Sequence, residues 1–315
     1  MLKLIFSRVL QGLIVLLVVS ALTFWLLAAA GGDALAALRD SPQVSEAALK
    51  EMARVYGFDQ PLGTRYLRWL AGISRGDLGH SFYFHAPVWG VVWPRLLHTL
   101  ALAAIALLLA WSVALALGWL AARRAGGWTN RISELLILLT ASTPRIVLAL
   151  LTLAVLARTS FFRFGGATNP QTLLDVNPLN ILPPALVLGA PLVALFLAQT
   201  RDNLRVALRE EFVQVARSKG LPERVVVRRH ALRAALNPLI TIFGYSLGGL
   251  VSGSVIVETV LGWPGLGELS VTAVRQRDVP LLLGVVLITA TAVLIGNLIA
   301  DILLRLNDPR LRDGG

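Results

Sequence analysis

Three lysines, four histidines and no cysteine leave this chain of 315 residues little material for catalysis. None of Lys3, Lys50 and Lys219 follows a glycine, so the Gly-Lys-Ser/Thr of a phosphate-cradling Walker A loop is absent and ATP is not bound in that way. His80, His85, His98 and His230 form no His-Glu-x-x-His pair, and no Gly-x-Ser-x-Gly elbow occurs. Without cysteine there is no disulfide, thiolate metal site or thiol nucleophile. The remaining candidates are polar groups in or at the ends of long apolar runs: Arg145 just after Pro144, Glu258 closing one run, and the pair Asn297 and Asp301 sharing a helical face near the end of another. A guanidinium in an apolar span is costly unless it faces a bundle interior or water. Two readings of Arg145 follow: it lines a translocation route and attracts an anion such as a peptide carboxylate, or it pairs with another buried polar group. Glu258, Asn297 and Asp301 read equally as interface or gate residues.

The elements that must position these groups are membrane spans. Hydrophobic residues make up 56% of the chain and charged ones only 15%, against about 25% charged in a soluble protein. That is too little polar side chain to cover a water-facing surface. The net charge of +11 is spread between apolar runs and not gathered in one patch, which argues against nucleic-acid binding and for basic loops at a membrane.

A helix needs about 20 mostly apolar residues to cross the hydrocarbon core. Five stretches free of Asp, Glu, Lys and Arg are long enough: Val9–Gly32, Leu96–Ala122, Val176–Thr200, Ala234–Val257 and Val279–Ala300. A sixth, Leu135–Ala157, is interrupted only by Arg145, near its middle. Six crossings are expected. In the fourth, Pro183 and Pro184 suit a helix start and Pro191 predicts a kink. Nine basic residues lie between Arg201 and Arg233, whereas segments 158–180 and 259–280 carry two each. The positive-inside rule then places both termini in the cytoplasm. The first apolar run, 24 residues, exceeds the about 7–15 of a signal-peptide core, so an uncleaved first helix is expected.

Two segments lie outside these spans. Residues 33–95 form an extracytoplasmic insertion, with Ser45 capping a helix to about Tyr56. At about 60 residues it is small for an independent domain, and it reads either as a cap on the helices or as a docking surface for an external protein. Segment 201–236 holds a helical run from Glu210-Glu211 through Phe212, Val215, Ala216 and Lys219, stopped by Gly220, then a second helix begun by Leu221-Pro222. Ala216 and Gly220, four apart, leave room for close approach of another backbone. The pattern fits a lever between spans, or an ordinary basic loop at the lipid surface.

Residues 211–238, EFVQVARSKGLPERVVVRRHALRAALNP, resemble the coupling loop of the dipeptide/oligopeptide/nickel permeases of ABC importers. Further matches are Tyr56-Gly57-Phe58-Asp59-Gln60-Pro61, Tyr66-Leu67-Arg68-Trp69, Gly76-Asp77-Leu78-Gly79, Val257-Glu258-Thr259-Val260, Pro264-Gly265-Leu266-Gly267, Arg277-Asp278-Val279-Pro280 and the stretch from Asn307 to Arg312. They follow one order and spacing over essentially the whole chain.

The resemblance implies an all-α integral membrane protein with a type I importer permease fold. Its parts would be an N-terminal span at 1–32, the insertion at 33–95, a permease domain at 96–304 and a cytoplasmic tail at 305–315. Gln214, Ala216, Gly220, Pro222 and His230 would be the ATPase-coupling residues, and Arg145 and Glu258 candidates for the translocation path. The family's Glu falls on Gln214, a departure familiar in the peptide branch. Arg233 stands where many relatives have proline, Gly31-Gly32-Asp33 where Pro-Gly-Asp is common, and Arg145 where an apolar or aromatic residue is usual. Implied partners are a second, related permease subunit in a heterodimer of membrane chains, two ATPase subunits carrying ATP and Mg, and an external substrate-binding protein, all at a cytoplasmic membrane. This chain would bind no cofactor of its own and would not be an enzyme. The substrate would be a short peptide, with nickel chelates, glutathione or opine-like compounds as lesser options. The rivals are a secondary transporter, which needs intramembrane carboxylates that the spans lack, an intramembrane enzyme, against which the missing catalytic constellation counts, and a membrane scaffold.

Overall fold

The computed structural model describes residues 2–29, 60–123, 126–158 and 178–307. The helix expected from Ser45, the Gly31-Gly32-Asp33 stretch and the tail from Asp308 lie outside them. In chain order the described elements are α1 (Leu2–Ala29), α2 (Leu62–Ile73), β1 (His80–Ser81), β2 (Ala86–Pro87), α3 (Val88–Arg123), α4 (Trp128–Ser142), α5 (Arg145–Leu156) and α6 (Pro178–Ala207). There follow α7 (Glu211–Ser218), α8 (Glu223–Val225), a π-helical turn at Val226–Ala231, α9 (Leu232–Gly253), α10 (Val255–Leu261), α11 (Leu266–Arg275) and α12 (Val279–Asn307).

Four of these, α1, α3, α6 and α12, are long and apolar enough to cross a bilayer unbroken. The third and fifth expected spans are instead bent pairs: α4 and α5 meet at 102°, and α9 and α10 at 47°. Counting each pair as one span gives up to six. The first break has a local cause. Thr143 precedes a proline, which disfavours the α region, and it is extended at ψ 119°. Arg145 therefore opens a new helix and does not sit midway along a straight one. The second break falls at Gly253-Ser254, where two small residues end α9.

Helix ends also differ from the apolar runs. The 36-residue α3 begins at Val88, eight positions before the apolar run starting at Leu96, and tolerates Pro94 in its second turn. Helix α6 begins at Pro178 and contains Pro183, Pro184 and Pro191, so the proline pair does not mark its start and Pro191 does not break it.

The chain divides into two compact units. The first comprises α1, α2, the hairpin, α3 up to Thr99, α11 and α12 up to Ala292. Its core joins Leu78, Val88, Val92, Leu96, Leu266, Leu269, Ala273 and Leu281. Tyr66 of α2 binds α1 through the Ser20 hydroxyl at 3.0 Å and stacks near Phe24 and Trp69. Asp278 is fully buried: its carboxylate accepts hydrogen bonds from the Ser81 hydroxyl (2.5 Å), the Tyr83 N–H (3.0 Å) and the Leu281 N–H (3.1 Å). One side chain thus caps α12 and ties the hairpin to it. Arg95 pairs with Glu268 at 2.6 Å, which accounts for a charge inside α3.

The second unit contains the rest of α3, α4 to α10 and the end of α12. Its core runs through Leu102, Ala106, Leu107, Leu188, Phe196, Leu197, Leu250, Leu261 and Trp263. Glycines admit the closest helix contacts. A Cβ at Gly189 would lie 2.8 Å from the Ala106 carbonyl oxygen, and one at Gly244 would collide with Ala300. Asn297 of α12 faces Gly248, so part of the glycine-rich 248–254 stretch is a packing face.

Candidate functional site

The 201–236 segment folds as the sequence suggests, a helix stopped by Gly220 and followed by another. In α7, Glu211 lies in the first turn and Arg217 in the last, each matching the helix dipole. Gly220 has φ +72°, a left-handed conformation that glycine adopts without strain, and its N–H donates to the Arg217 carbonyl at 2.9 Å. Pro222 stands just before α8, its carbonyl accepting from the N–H groups of Val225 and Val226. Arg217 reaches across the turn to Glu223 with contacts of 2.8 and 3.2 Å. Hydrogen bonding to Arg217 holds the Glu223 carboxyl below its ordinary value, and the same bond raises Arg217.

Helix α7 has two apolar faces. Val213 and Ala216 are buried against Leu204 and Ala207 of α6, Ala122 of α3, and Val226, Ala231 and Ala235. The room expected beside Ala216 is therefore filled by this chain itself. Space beside Gly220 is open, with nothing within 4 Å of a Cβ placed there. Around it Phe212, Val215, Leu221 and Val225 are exposed, Val215 by 53%. Gln214 is also exposed, its side-chain amide 3.5 Å from the Leu208 carbonyl. His230 lies in the π-helical turn, partly exposed. The structure thus brings Gln214, Gly220 and Pro222 to one exposed stretch with four apolar side chains, and sends Ala216 to the opposite face.

Sequence reasoning missed four features here. The alternation of Phe212 and Val215 with Val213 and Ala216 carried the two-faced character of α7. Opposite charges at 217 and 223 flanking a glycine carried the clamp. The π-helical turn had no comparable signal, nor did the link from Arg205 to the Asn130 side chain at 2.6 Å, which ties α6 to α4.

Arg145 and Glu258 occupy the two bent pairs. The Arg145 Nη1 donates to the Gly253 carbonyl at 3.2 Å, and a Cβ at 253 would collide with that nitrogen. Glu258 is wholly buried in α10; its N–H donates to the Ser254 carbonyl at 2.8 Å and its own carbonyl accepts from the Trp263 N–H at 2.9 Å. Arg145 and Glu258 make no ion pair with each other, although the helices that carry them, α5 and α10, pack together.

Long apolar helices, breaks inside two of the apolar stretches and an amphipathic helix–Gly–helix between spans are the architecture of a multi-pass membrane permease. Two sequence families match the chain. "Binding-protein-dependent transport system inner membrane component" matches residues 114–313, and the corresponding N-terminal family of such membrane components matches residues 1–103. The oligopeptide transport system permease protein AppB of Bacillus subtilis is 33% identical over 98% of both chains. The dipeptide transport system permease protein DppB of Escherichia coli K12 is 30% identical over 93% of this chain and 94% of its own. The glutathione transport system permease protein GsiC of Pectobacterium atrosepticum is 34% identical over 98% of both. A solved structure of the MetNI methionine ABC transporter in an inward-facing conformation shares the fold, with TM-score 0.55 and 18% identity over 69% of this chain and 96% of that one. The chain belongs to the binding-protein-dependent transport system inner membrane component family, whose members are transport permeases and not enzymes.

Proposed function

We propose that this chain is one of two related permease subunits in an ATP-driven importer of short peptides, with both termini in the cytoplasm. The nine basic residues of the 201–233 stretch support that orientation by the positive-inside rule. Two ATPase subunits carry ATP and Mg, an external binding protein delivers the solute, and the chain lies in the cytoplasmic membrane. Peptide as the solute is supported by relatives of nearly full-length coverage named for oligopeptide, dipeptide and glutathione transport.

The observation that carries this reading is the exposed apolar patch of Phe212, Val215, Leu221 and Val225 around the open turn at Gly220. Apolar side chains projecting from a basic, charged segment are costly in water and suit a groove on another protein. Here the ATPase supplies that groove. Because Val213 and Ala216 bind α7 to α3 and α6, a push on the patch is delivered to the spans.

The test is to replace Phe212 and Val215 by Asp. Both are exposed, so insertion and folding should be retained while the ATPase subunits no longer co-purify. Full ATPase recovery with normal uptake would remove the docking assignment.

A further inference from the structure

Arg145 sits where the two bent pairs touch. It is the first residue of α5, directly after the Thr143-Pro144 break, and its side chain's one hydrogen bond among the described residues goes to Gly253, the last residue of α9 before the second break. It makes no ion pair among the described residues. A guanidinium has five N–H donors, so one contact leaves most of its capacity unused. The residues after it, Ile146, Val147, Leu150 and Leu151, are apolar and exposed.

Three physical points give this charge a role. Interrupted helices within a membrane persist only where the break is packed in protein or lines water, and such breaks flank solute sites in transporters. The carbonyl end of α9 steadies a cation, whereas the N-terminal end of α5 opposes one, so the position favours an additional negative group. An arginine facing lipid would extend toward the headgroups. Arg145 turns instead to a carbonyl on another helix, and it is only partly exposed. From Leu135, where the apolar run begins, α4 rises about 12 Å to the break at Thr143, against a core of about 30 Å, so the break falls within the span.

We propose that Arg145 is a specificity-determining residue of the transport path, receiving an anionic group of the solute within the membrane. For a short peptide that group is a carboxylate. The inference rests on the permease reading and its orientation, and it adds the charge that the solute must carry.

The absence of cysteine makes the test direct. In the complete complex with its ATPases, partner permease and binding protein, Arg145→Cys supplies the chain's single thiol. Water-soluble thiosulfonates applied from the outer side should modify it, and the aminoethyl reagent, which restores a positive charge, should recover uptake where the sulfonatoethyl reagent does not. In parallel, Arg145→Gln should raise KM for L-alanyl-L-alanine about tenfold or more, the loss of one charge-assisted hydrogen bond. KM for L-alanyl-L-alaninamide should change less than twofold. A thiol that stays unreactive in every nucleotide state, or equal KM changes for acid and amide, overturns the proposal. If the unmodified complex moves neither dipeptide, the peptide reading falls. The thiol arm still decides this inference, because a residue that never meets water receives no solute.

Discussion

Arg217 and Glu223 meet across Gly220, with Nη2 2.8 Å from Oε1 and Nε 3.2 Å from Oε2. This two-point contact closes the turn between α7 and α8 and fixes the angle at which the apolar patch is presented. Because the pair is exposed to solvent, it shapes the turn more than it stabilises the protein.

The pH dependence of that turn follows from Glu223. Its carboxyl is held below its ordinary value of 4.5 in the folded state, so its contribution is complete above that value and is lost as pH falls through the lowered one. Arg217 is raised and stays charged at any working pH. The protection factor of the Gly220 amide should therefore stay constant between pH 6 and 8, where the pair is fully charged. Glu223→Gln should speed exchange there by less than about fivefold at pH 7. A wild-type protection factor that changes between pH 6 and 8 would contradict this reading.

Gly220 serves by conformation and by openness, and two substitutions separate these. Gly220→Ala meets no neighbour but must hold φ +72°, costing about 1 kcal/mol of local stability while leaving ATPase recovery near normal. Gly220→Trp fills the open space and should abolish ATPase co-purification while leaving membrane insertion intact. Equal behaviour of the two variants in a pull-down would argue that the turn, and not the space beside it, matters.

Arg145 lies against Gly253. Gly253→Ala meets the far end of a flexible side chain, so the guanidinium swings aside and gives up its bond to the 253 carbonyl, at about 1 kcal/mol. Combined with Arg145→Ala, which removes the obstacle, the same substitution should cost much less. A thermal-melt cycle in detergent that finds the two effects additive would show that the contact carries no coupling.

Asp278 gathers three donors in a buried place. Asp278→Ala leaves the Ser81 hydroxyl and the N–H groups of Tyr83 and Leu281 without their acceptor, at about 1–3 kcal/mol or more. Asp278→Asn keeps an acceptor oxygen and should be milder. Protease cleavage within residues 80–87 reads the loosening, and unchanged cleavage in Asp278→Ala would discount the tie.

Four of the expected spans were legible as unbroken helices because apolar runs of sufficient length need no tertiary information. The breaks in the two bent pairs were only half legible. Pro144 announces an interruption, but a proline inside a span can kink, start or merely sit in a helix: Pro144 stands at the head of α5, whereas Pro183 and Pro184 lie within α6. Arg145 stood out as a charge in an apolar run, yet its partner Gly253 is 108 positions away and no spacing rule reaches it. In the 201–236 segment, Gly220 and Pro222 were legible because each acts through its own backbone. Ala216 was not, since whether a small residue faces its own chain or a partner depends on Leu204 and Ala122, brought there by other helices. Asp278 was visible only as part of a recurring four-residue stretch; its hydrogen bonds to the hairpin appear only in three dimensions.

On the proposed function, the chain forms a passage driven by nucleotide hydrolysis in its partners. The direct measurement is solute accumulation in vesicles holding the complete complex and its binding protein, with ATP supplied on the ATPase side and a protonophore added. Accumulation should require ATP and survive collapse of the proton gradient. Accumulation that proceeds without ATP and vanishes with the gradient would contradict the account and make the chain part of a secondary transporter.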